Sequence, residues 1–333
     1  MYPNEIEGIK YEVKKLNFEV VMPAIIAFAI SVVLSPIFIP FLKKLKFSQY
    51  VRNDGPKEHL KKSGTPTMGG IIIVCSITIT CMFYVGLDKQ IVPILFVTLG
   101  FGLIGFLDDY IKIVMKRSLG LKAWQKLTAQ CIVTAVFAYY MLQVLQIGTE
   151  VLVPFANGHS IDLGMYYLPF LFLVVLGTVN GVNFTDGLDG LASSVTVLVA
   201  TFFSVVAIGV GSGISPITCA VVGSLLGFLI YNVYPARVFM GDTGSLALGG
   251  FVAASAFILR MPIFIALIGL IYLVEVLSVM IQVTYFHLTG GKRIFKMAPI
   301  HHHFELCGWS ETRVVAVFSI ITAILCLVGL LAL

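Results

Sequence analysis

The stretch IVPILFVTLGFGLIGFLDDYIK, residues 91–112, joins a long apolar run to two adjacent carboxylates. An apolar run of about 20 residues is long enough for a helix to cross a bilayer. Asp108 and Asp109 stand where the run ends, and ionisable residues at the end of a span usually lie at the water boundary or serve a site. Neighbouring carboxylates repel each other unless a cation lies between them, and oxygen ligands suit Mg²⁺. The stretch therefore predicts a membrane helix that ends in a magnesium-dependent site.

The rest of the chain repeats this apolar pattern. Its 333 residues are 58% hydrophobic and 12% charged, against roughly 45–50% and 25% in a soluble domain. We expect an all-α polytopic membrane protein of about ten transmembrane helices. It would form a single domain over residues 1–333, with residues 1–19 as a short extracytoplasmic segment. The expected runs are 20–42, 68–86, 91–107, 124–147, 166–182, 190–211, 215–232, 243–259, 262–288 and 313–333.

The positions of the basic residues predict the orientation. Lysines 43, 44 and 46 follow the first run, which places that end in the cytoplasm. Alternation then puts both termini outside and leaves 17 of the 22 Lys and Arg in the inside segments. These segments are 43–67, 108–126, 183–189, 233–242 and 289–313. The net charge of +5 suits an anionic leaflet or anionic substrates, and we expect no nucleic-acid partner. The six cysteines show no paired spacing, so no disulfide framework is expected.

Two basic segments carry residue types that suit phosphate. The segment KKSGTPTMGG begins at Lys61, and its lysines and hydroxyls can hold phosphate oxygens. Beyond Asp108, Lys112 and Lys116 would do the same, and Asp108 and Lys112 share a face of a continuing helix. An ordinary basic loop and a helix-end ion pair are the simpler alternatives.

Two further polar segments lie between apolar runs. The segment NGVNFTDGLDG, residues 180–190, holds amide, carboxylate and glycine residues but no basic residue, which suits recognition of a sugar or a base. In NVYPARVFMGDTGS, residues 232–245, Asp242 is a candidate third carboxylate for the cation and Phe239 a candidate stacking surface. The alternatives are a capped helix–helix turn at 180–190 and an Asp242 that only caps the next helix.

The last inside segment contains three consecutive histidines, residues 301–303. Adjacent side chains on a helix point about 100° apart, and no Cys or His stands at a zinc spacing. Phosphate binding or proton transfer by one or two of these histidines is the better interpretation. Glu275 lies alone in an apolar run, and a functional role and an interhelical role both stay open.

Taken in order, these segments resemble the bacterial phospho-N-acetylmuramoyl-pentapeptide-transferases (translocase I). That family belongs to the superfamily of polyprenyl-phosphate N-acetylhexosamine-1-phosphate transferases. An unbroken triple histidine followed by Phe-Glu favours it over the related N-acetylglucosamine-1-phosphate transferases. The resemblance runs from about residue 20 onward and rests on the motifs TPTMGG (65–70), DDYIK (108–112), NFTDGLDG (183–190), FMGDTGS (239–245) and APIHHHFE (298–305).

The resemblance implies a Mg²⁺-dependent enzyme of the bacterial plasma membrane with its active site facing the cytoplasm. It would transfer phospho-MurNAc-pentapeptide from UDP-MurNAc-pentapeptide to undecaprenyl phosphate, giving lipid I and UMP, the first membrane step of peptidoglycan synthesis. It would be a homodimer, and its ninth helix would be bent to leave a groove for the lipid. A transferase for another UDP-amino sugar and a transporter are the alternatives. Transporters usually place charge near the midplane and show inverted repeats, which we do not find in this sequence.

The resemblance also implies site residues by motif position. The catalytic residues would be Asp108, Asp109, Asp242, Lys112 and His301, with Asp242 as the metal ligand. The substrate-binding residues would be Lys62, Lys116, Asn180, Asn183, Asp186, Gly187, Leu188, Asp189, Asn232, Phe239, His302 and His303. The separate roles of Asp108 and Asp109 stay open, as base, nucleophile or electrostatic partner. A phosphate monoester has a second pKa of about 6 and is mostly dianionic, which favours direct single displacement.

Overall fold

The computed structural model describes residues 17–45, 62, 64–115 and 119–333, and these form a helical bundle with one small hairpin. A π-helical turn, Asn17–Val21, leads into the bundle. The helices are α1 (Met22–Lys44), α2 (Gly70–Thr80), α3 (Ile91–Val114), α4 (Ala123–Tyr139), α5 (Tyr167–Thr185), α6 (Leu191–Gly209), α7 (Ser215–Asn232), α8 (Gly241–Ile258), α9 (Ile265–Ile268), α10 (Leu270–Leu288), α11 (Ile300–Leu306) and α12 (Glu311–Leu331). Turns of π-helix extend α2 over Cys81–Val85 and α4 over Tyr140–Val144, and short 3₁₀ turns occupy Gly164–Tyr166 and Pro262–Phe264.

Most of these helices are long enough to span a bilayer. Within the described part of the chain, nine helices are long and apolar enough to cross a membrane. The run expected at 68–86 forms a shorter apolar helix, Gly70–Val85. The prediction of an all-α polytopic membrane protein is therefore confirmed. In the described residues, nine of the ten expected runs correspond to a helix of spanning length, and the tenth corresponds to the shorter helix.

Helix α8 lies at the centre of the bundle. Of its 18 residues, 89% are buried. The helix packs against α3, α5 and α2. Small residues allow this close approach: a Cβ on Gly105 of α3 would lie 2.0 Å from the carbonyl oxygen of Asp242. A Cβ on Gly70 would lie 2.1 Å from the backbone nitrogen of Gly244. Close helix contact through small residues is common in membranes, and here it brings the start of α8 against the end of α3.

The remaining helices surround this centre. Helix α1 packs on α7, α12 packs on α6, and α10 packs on α5. Strands β1 (Glu150–Leu152) and β2 (Ser160–Asp162) form an antiparallel hairpin between α4 and α5. Because α4 begins beside the carboxylates of α3 and runs away from them, the hairpin lies at the opposite end of the bundle.

Two helix boundaries differ from the apolar runs. The run 91–107 stops before the carboxylates, whereas α3 continues to Val114. Asp108 and Asp109 therefore lie inside the helix, on its last turns. The run 262–288 is interrupted at Gly269, which separates α9 from α10. The resemblance implied a bend in this helix.

Candidate active site

Three carboxylates from two helices meet at one end of the bundle. Asp108 and Asp109 come from the last turns of α3, and Asp242 comes from the first turn of α8. One oxygen atom of each lies within 4.8 Å of the others. The side chains of Asp108 and Asp109 are each 5% exposed, against 17% for Asp242. Neighbouring carboxylates repel each other unless a cation lies near them or one of them takes up a proton.

Two lysines supply positive charge to the cluster. The ammonium nitrogen of Lys112 lies 2.6 Å from Asp108 Oδ2 and 3.0 Å from Asp242 Oδ2. Lys126, at the start of α4, places its nitrogen 2.9 Å from the same oxygen of Asp242. The shared helix face of Asp108 and Lys112 was predicted. In the sequence, Lys126 is only one of several basic residues in the segment 108–126. Its pairing with Asp242 depends on how α4 packs, which the sequence does not reveal.

The contacts of Asp109 differ from those of its neighbour. Its Oδ2 accepts hydrogen bonds from the backbone nitrogen and the hydroxyl of Thr243, at 3.0 and 2.9 Å. The first N–H groups of a helix have no partner within the helix, so Asp109 caps α8 from outside it. Its negative charge also suits the positive end of the helix dipole. Asp108 instead accepts a hydrogen bond from the backbone of Leu121, at 2.8 Å.

Asn183 joins α5 to this cluster. Its amide nitrogen donates to Asp242 Oδ1 and to the hydroxyl of Ser245, both at 2.9 Å. Asp242 therefore contacts an amide and two ammonium groups. These contacts argue against the alternative that Asp242 only caps α8. One turn earlier, Asn180 pairs with Gln130 of α4, so the structure places Asn180 beside the cluster rather than in it.

The turn at residues 186–190 lies next to the carboxylates. Asp186 Oδ2 accepts a hydrogen bond from the backbone of Gly241, at 3.1 Å. Burial raises the pKa of Asp186 well above its ordinary value, and the charges of Asp242 and Asp109 raise it further. In the middle of the turn, a Cβ on Gly187 would lie 2.1 Å from His301 Nε2. Leu188 is buried in the core.

Asp189 ends the turn in a cluster with Lys62 and Glu311. The nitrogen of Lys62 lies 2.6 Å from Asp189 Oδ1 and 2.6 Å from Glu311 Oε1. Burial opposes the charge on Lys62, but its hydrogen bonds to both carboxylates and their charges outweigh burial and raise the pKa of Lys62. The ammonium group of Lys62 is paired with these two carboxylates. Its contact with a substrate phosphate stays a prediction.

The three histidines have three different partners. His301 is fully buried, and its Nδ1 lies 3.1 Å from Oε1 of the fully buried Glu275. The nitrogen His302 Nδ1 lies 2.7 Å from Glu305, and His303 Nδ1 accepts a hydrogen bond from the backbone of Lys296. Among the residues described, Asp108, Asp109 and Asp242 are the one group of three or more His, Cys, Asp or Glu that could hold a metal ion. The histidines therefore give no support to a zinc site.

Asn232 and Phe239 shape the segment that leads into α8. Asn232 accepts a hydrogen bond from the hydroxyl of Ser193 and donates one to the carbonyl of Val238. The backbone of Phe239 pairs with Pro66 and Gly69, while its side chain is half-buried. The remaining predicted site residue, Lys116, lies outside the described residues.

Comparison with known proteins gives this chain named relatives. The model of Glycosyl transferase family 4 matches residues 91–261. The pattern Phospho-N-acetylmuramoyl-pentapeptide-transferase signature 1 matches residues 62–74. The chain is 53% identical over 321 residues to a phospho-N-acetylmuramoyl-pentapeptide-transferase of Clostridium botulinum (strain Alaska E43 / Type E3), covering 96% of this chain and 98% of that protein. Over 312 residues it is 52% identical to the protein of the same name from Acetivibrio thermocellus, covering 93% and 94% of the two chains.

Proposed function

The chain belongs to the phospho-N-acetylmuramoyl-pentapeptide-transferase family, and we propose that it performs the reaction which that name describes. It is a phosphosugar transferase and a multi-pass protein of the bacterial inner membrane. We propose that it moves phospho-MurNAc-pentapeptide from UDP-MurNAc-pentapeptide to undecaprenyl phosphate. The products would be lipid I and UMP.

The observation that carries this proposal is the cluster of three carboxylates flanked by Lys112 and Lys126. Phosphoryl transfer is mainly a matter of positioning the reactants and neutralising their charge. The donor diphosphate and the lipid phosphate are both anionic, so they repel each other as they approach. Lys112 and Lys126 offset that repulsion where the two substrates would meet.

The donor set of the cluster fits Mg²⁺. Its oxygen atoms come from three carboxylates within 4.8 Å of one another, and Mg²⁺ prefers oxygen ligands. Asp242 would hold the ion, because its side chain is the most exposed of the three. When bound, Mg²⁺ would polarise the diphosphate and stabilise the charge on the leaving UMP.

The two carboxylates of α3 would then act differently. Asp109 would keep Asp242 in place through its two hydrogen bonds to Thr243. Asp108 would hold Lys112 towards the substrates through their 2.6 Å ion pair. We propose direct displacement by the lipid phosphate, which is mostly dianionic and needs little help from a base. Retention of configuration at the transferred phosphorus would contradict it.

The turn at 186–190 would bind the nucleotide, with Phe239 stacking on uracil. Asp186, Gly187 and Asp189 line this turn beside Asn232, which fixes the segment that carries Phe239. The lipid acceptor would enter from the bilayer beside α10. We further propose that this end of the bundle faces the cytoplasm and that two copies of the chain form a dimer.

The test is UMP release by the purified protein from UDP-MurNAc-pentapeptide and undecaprenyl phosphate, with and without Mg²⁺. We expect Mg²⁺-dependent release that falls by about 10²-fold or more in Asp242→Ala, as for loss of other charge-stabilising groups. Asp162→Ala is the matched control, because Asp162 is an exposed aspartate of the hairpin. No release with this donor would overturn the proposal, and UDP-N-acetylglucosamine would then be tested as donor.

A further inference from the structure

Three charged side chains form a cluster beside the turn at 186–190. We name Lys62, Asp189 and Glu311 the ion cluster; their side chains are 16%, 3% and 8% exposed. Lys62 precedes α2, Asp189 ends the turn, and Glu311 is the first residue of α12. The ion cluster therefore joins parts of the chain that lie far apart in the sequence.

We propose that Glu311 is a positioning residue that holds the turn at 186–190 in the shape that binds the nucleotide donor. This inference rests on the proposed function, since it assigns the donor to that turn. The sequence did not predict Glu311 as a site residue. In the sequence, Glu311 is an acidic residue near the end of the basic segment 289–313.

The hydrogen bonds of Glu311 reach the backbone of the turn. Its Oε1 accepts a hydrogen bond from the backbone nitrogen of Asp189, at 2.6 Å, and another from Lys62, at 2.6 Å. The carboxylate of Asp189 binds Lys62 through Oδ1 and accepts a hydrogen bond from the backbone of Ala236 through Oδ2, at 2.9 Å. A bond to a backbone nitrogen fixes the path of the chain, which a side-chain pair alone does not.

The turn is thus fixed at both ends. At its start, Asp186 accepts from the backbone of Gly241. At its end, Asp189 is held by Glu311, and Gly190 follows with a φ of +77°. Between them, Gly187 lies against His301. Loss of the Glu311 contact would leave the backbone nitrogen of Asp189 without its acceptor, while the contacts of the Asp189 carboxylate remain.

The contacts of Glu311 also predict which kinetic constant changes. Its side chain hydrogen-bonds to Lys62 and Asp189 among the described residues, and neither belongs to the group of three carboxylates. A change at Glu311 should therefore weaken donor binding with little effect on the chemical step. Such a mutation raises KM and leaves kcat unchanged.

A purely structural alternative is that Glu311 only stabilises the start of α12, where an acidic residue suits the helix dipole. Ser310 provides the control, since it caps the same helix by accepting a hydrogen bond from the backbone of Arg313. Ser310→Ala weakens the start of α12 but keeps Glu311. If Glu311 acted only on the helix, the two variants would behave alike.

The experiment measures steady-state kinetics of the full-length protein with each substrate varied in turn. We expect Glu311→Ala, which removes the acceptor that a glutamine would keep, to raise the KM for UDP-MurNAc-pentapeptide about tenfold, equivalent to about 1.4 kcal/mol. Its kcat and its KM for undecaprenyl phosphate should stay within about twofold. Ser310→Ala should leave all three constants near those of the unmodified protein.

Several outcomes separate the two proposals. An unmodified protein that transfers nothing contradicts the proposed function. An active unmodified protein whose donor KM is unchanged in Glu311→Ala overturns the role of Glu311, as does an equal rise in Ser310→Ala. If Glu311→Ala does not fold, Glu311→Asp keeps the charge but shortens the side chain. It should then show the same selective rise in donor KM, and its absence would equally overturn the proposal.

Discussion

Neighbouring residues at this site have different contacts although they are chemically identical. Asp108 pairs with Lys112, whereas Asp109 accepts two hydrogen bonds from Thr243. The sequence predicts both as site residues but leaves their roles open, because residues i and i+1 of a helix face different neighbours. Only the packing of α8 against α3 decides which of the two caps a helix.

Asp186 gives a prediction that depends on pH. Its pKa in the folded protein lies well above its ordinary value, because burial and the neighbouring carboxylates disfavour its charge. The folded state therefore binds this proton more tightly than the unfolded state, and stability falls as the pH rises above the unfolded pKa of about 3.9. Below that pH the penalty is absent. Asp186→Asn removes the charge and should raise stability at neutral pH.

The measurement is the melting temperature in detergent with a chelator present, from pH 7.5 down to about pH 4.5. We expect Asp186→Asn to melt about 2 °C or more above the unmodified protein at pH 7.5, with a difference that narrows as the pH falls. Asp162→Asn is the control, because a hydrogen bond from Thr149 lowers the pKa of this exposed aspartate. It should give no gain at pH 7.5. A gain for Asp186→Asn that is equal at every pH would contradict the explanation.

Residues that sequence reasoning missed share one property. Lys126 and Glu311 each form their ion pairs with residues distant in the chain, Asp242 and Lys62. Neither residue stands in a motif that separates it from an ordinary charged residue at a helix end. The aspartates were easier to predict, since carboxylates next to apolar runs are unusual and costly.

At the scale of elements, the contact between α3 and α8 controls the geometry of the site. Gly105 lies one turn before Asp109, and its Cα faces the backbone of Asp242. Gly105→Ala would place a methyl group 2.0 Å from the carbonyl oxygen of Asp242, so the helices must separate. Since the three carboxylates lie on these two helices, their spacing must change with it.

We expect Gly105→Ala to lower the free energy of unfolding by about 1–3 kcal/mol and to reduce activity by at least about tenfold. Gly100→Ala on the same helix is the matched control, because its nearest contact is the side chain of Val133 at 3.1 Å. Thermal unfolding and UMP release measured on both variants give the answer. Equal activity in the two variants would show that the close contact does not set the site.

The apolar runs of the sequence predicted which helices are present better than they predicted the residues at which the helices begin and end. The run 91–107 misses the end of α3 because Asp108 and Lys112 pair with each other and allow the helix to continue. The run 262–288 hides the interruption at Gly269, since the residues around it are uniformly apolar. The triple histidine lies on a short helix, α11, which hydropathy does not reveal.

At the scale of the whole molecule, the residues of the candidate active site lie at one end of the bundle, and the hairpin lies at the other end. The lysines and arginines of the sequence predict that the first end faces the cytoplasm. Two residues can test this orientation. Cys307 is exposed on the segment that follows α11, and Lys89 is exposed between α2 and α3 at the hairpin end.

A maleimide that cannot cross membranes should label Cys307 in inverted membrane vesicles and not in intact spheroplasts. The matched control is Lys89→Cys in a Cys307→Ser background, which should be labelled only in intact spheroplasts. The remaining cysteines are partly or fully buried in the bundle, so they should contribute little signal. Labelling of Cys307 in intact spheroplasts would reverse the proposed orientation.

The contact between Asp189 and Glu311 also bears on how the protein is made. A ribosome synthesises the turn at 186–190 before α12, so the turn is made before its partner Glu311. Asp109 is likewise made before Thr243, the residue of α8 that donates hydrogen bonds to it. A chain released before α12 would contain all three carboxylates yet lack the Glu311 contact at the end of the turn. The site is therefore complete only after Glu311 has been made, and a chain that stops before α12 would lack this contact.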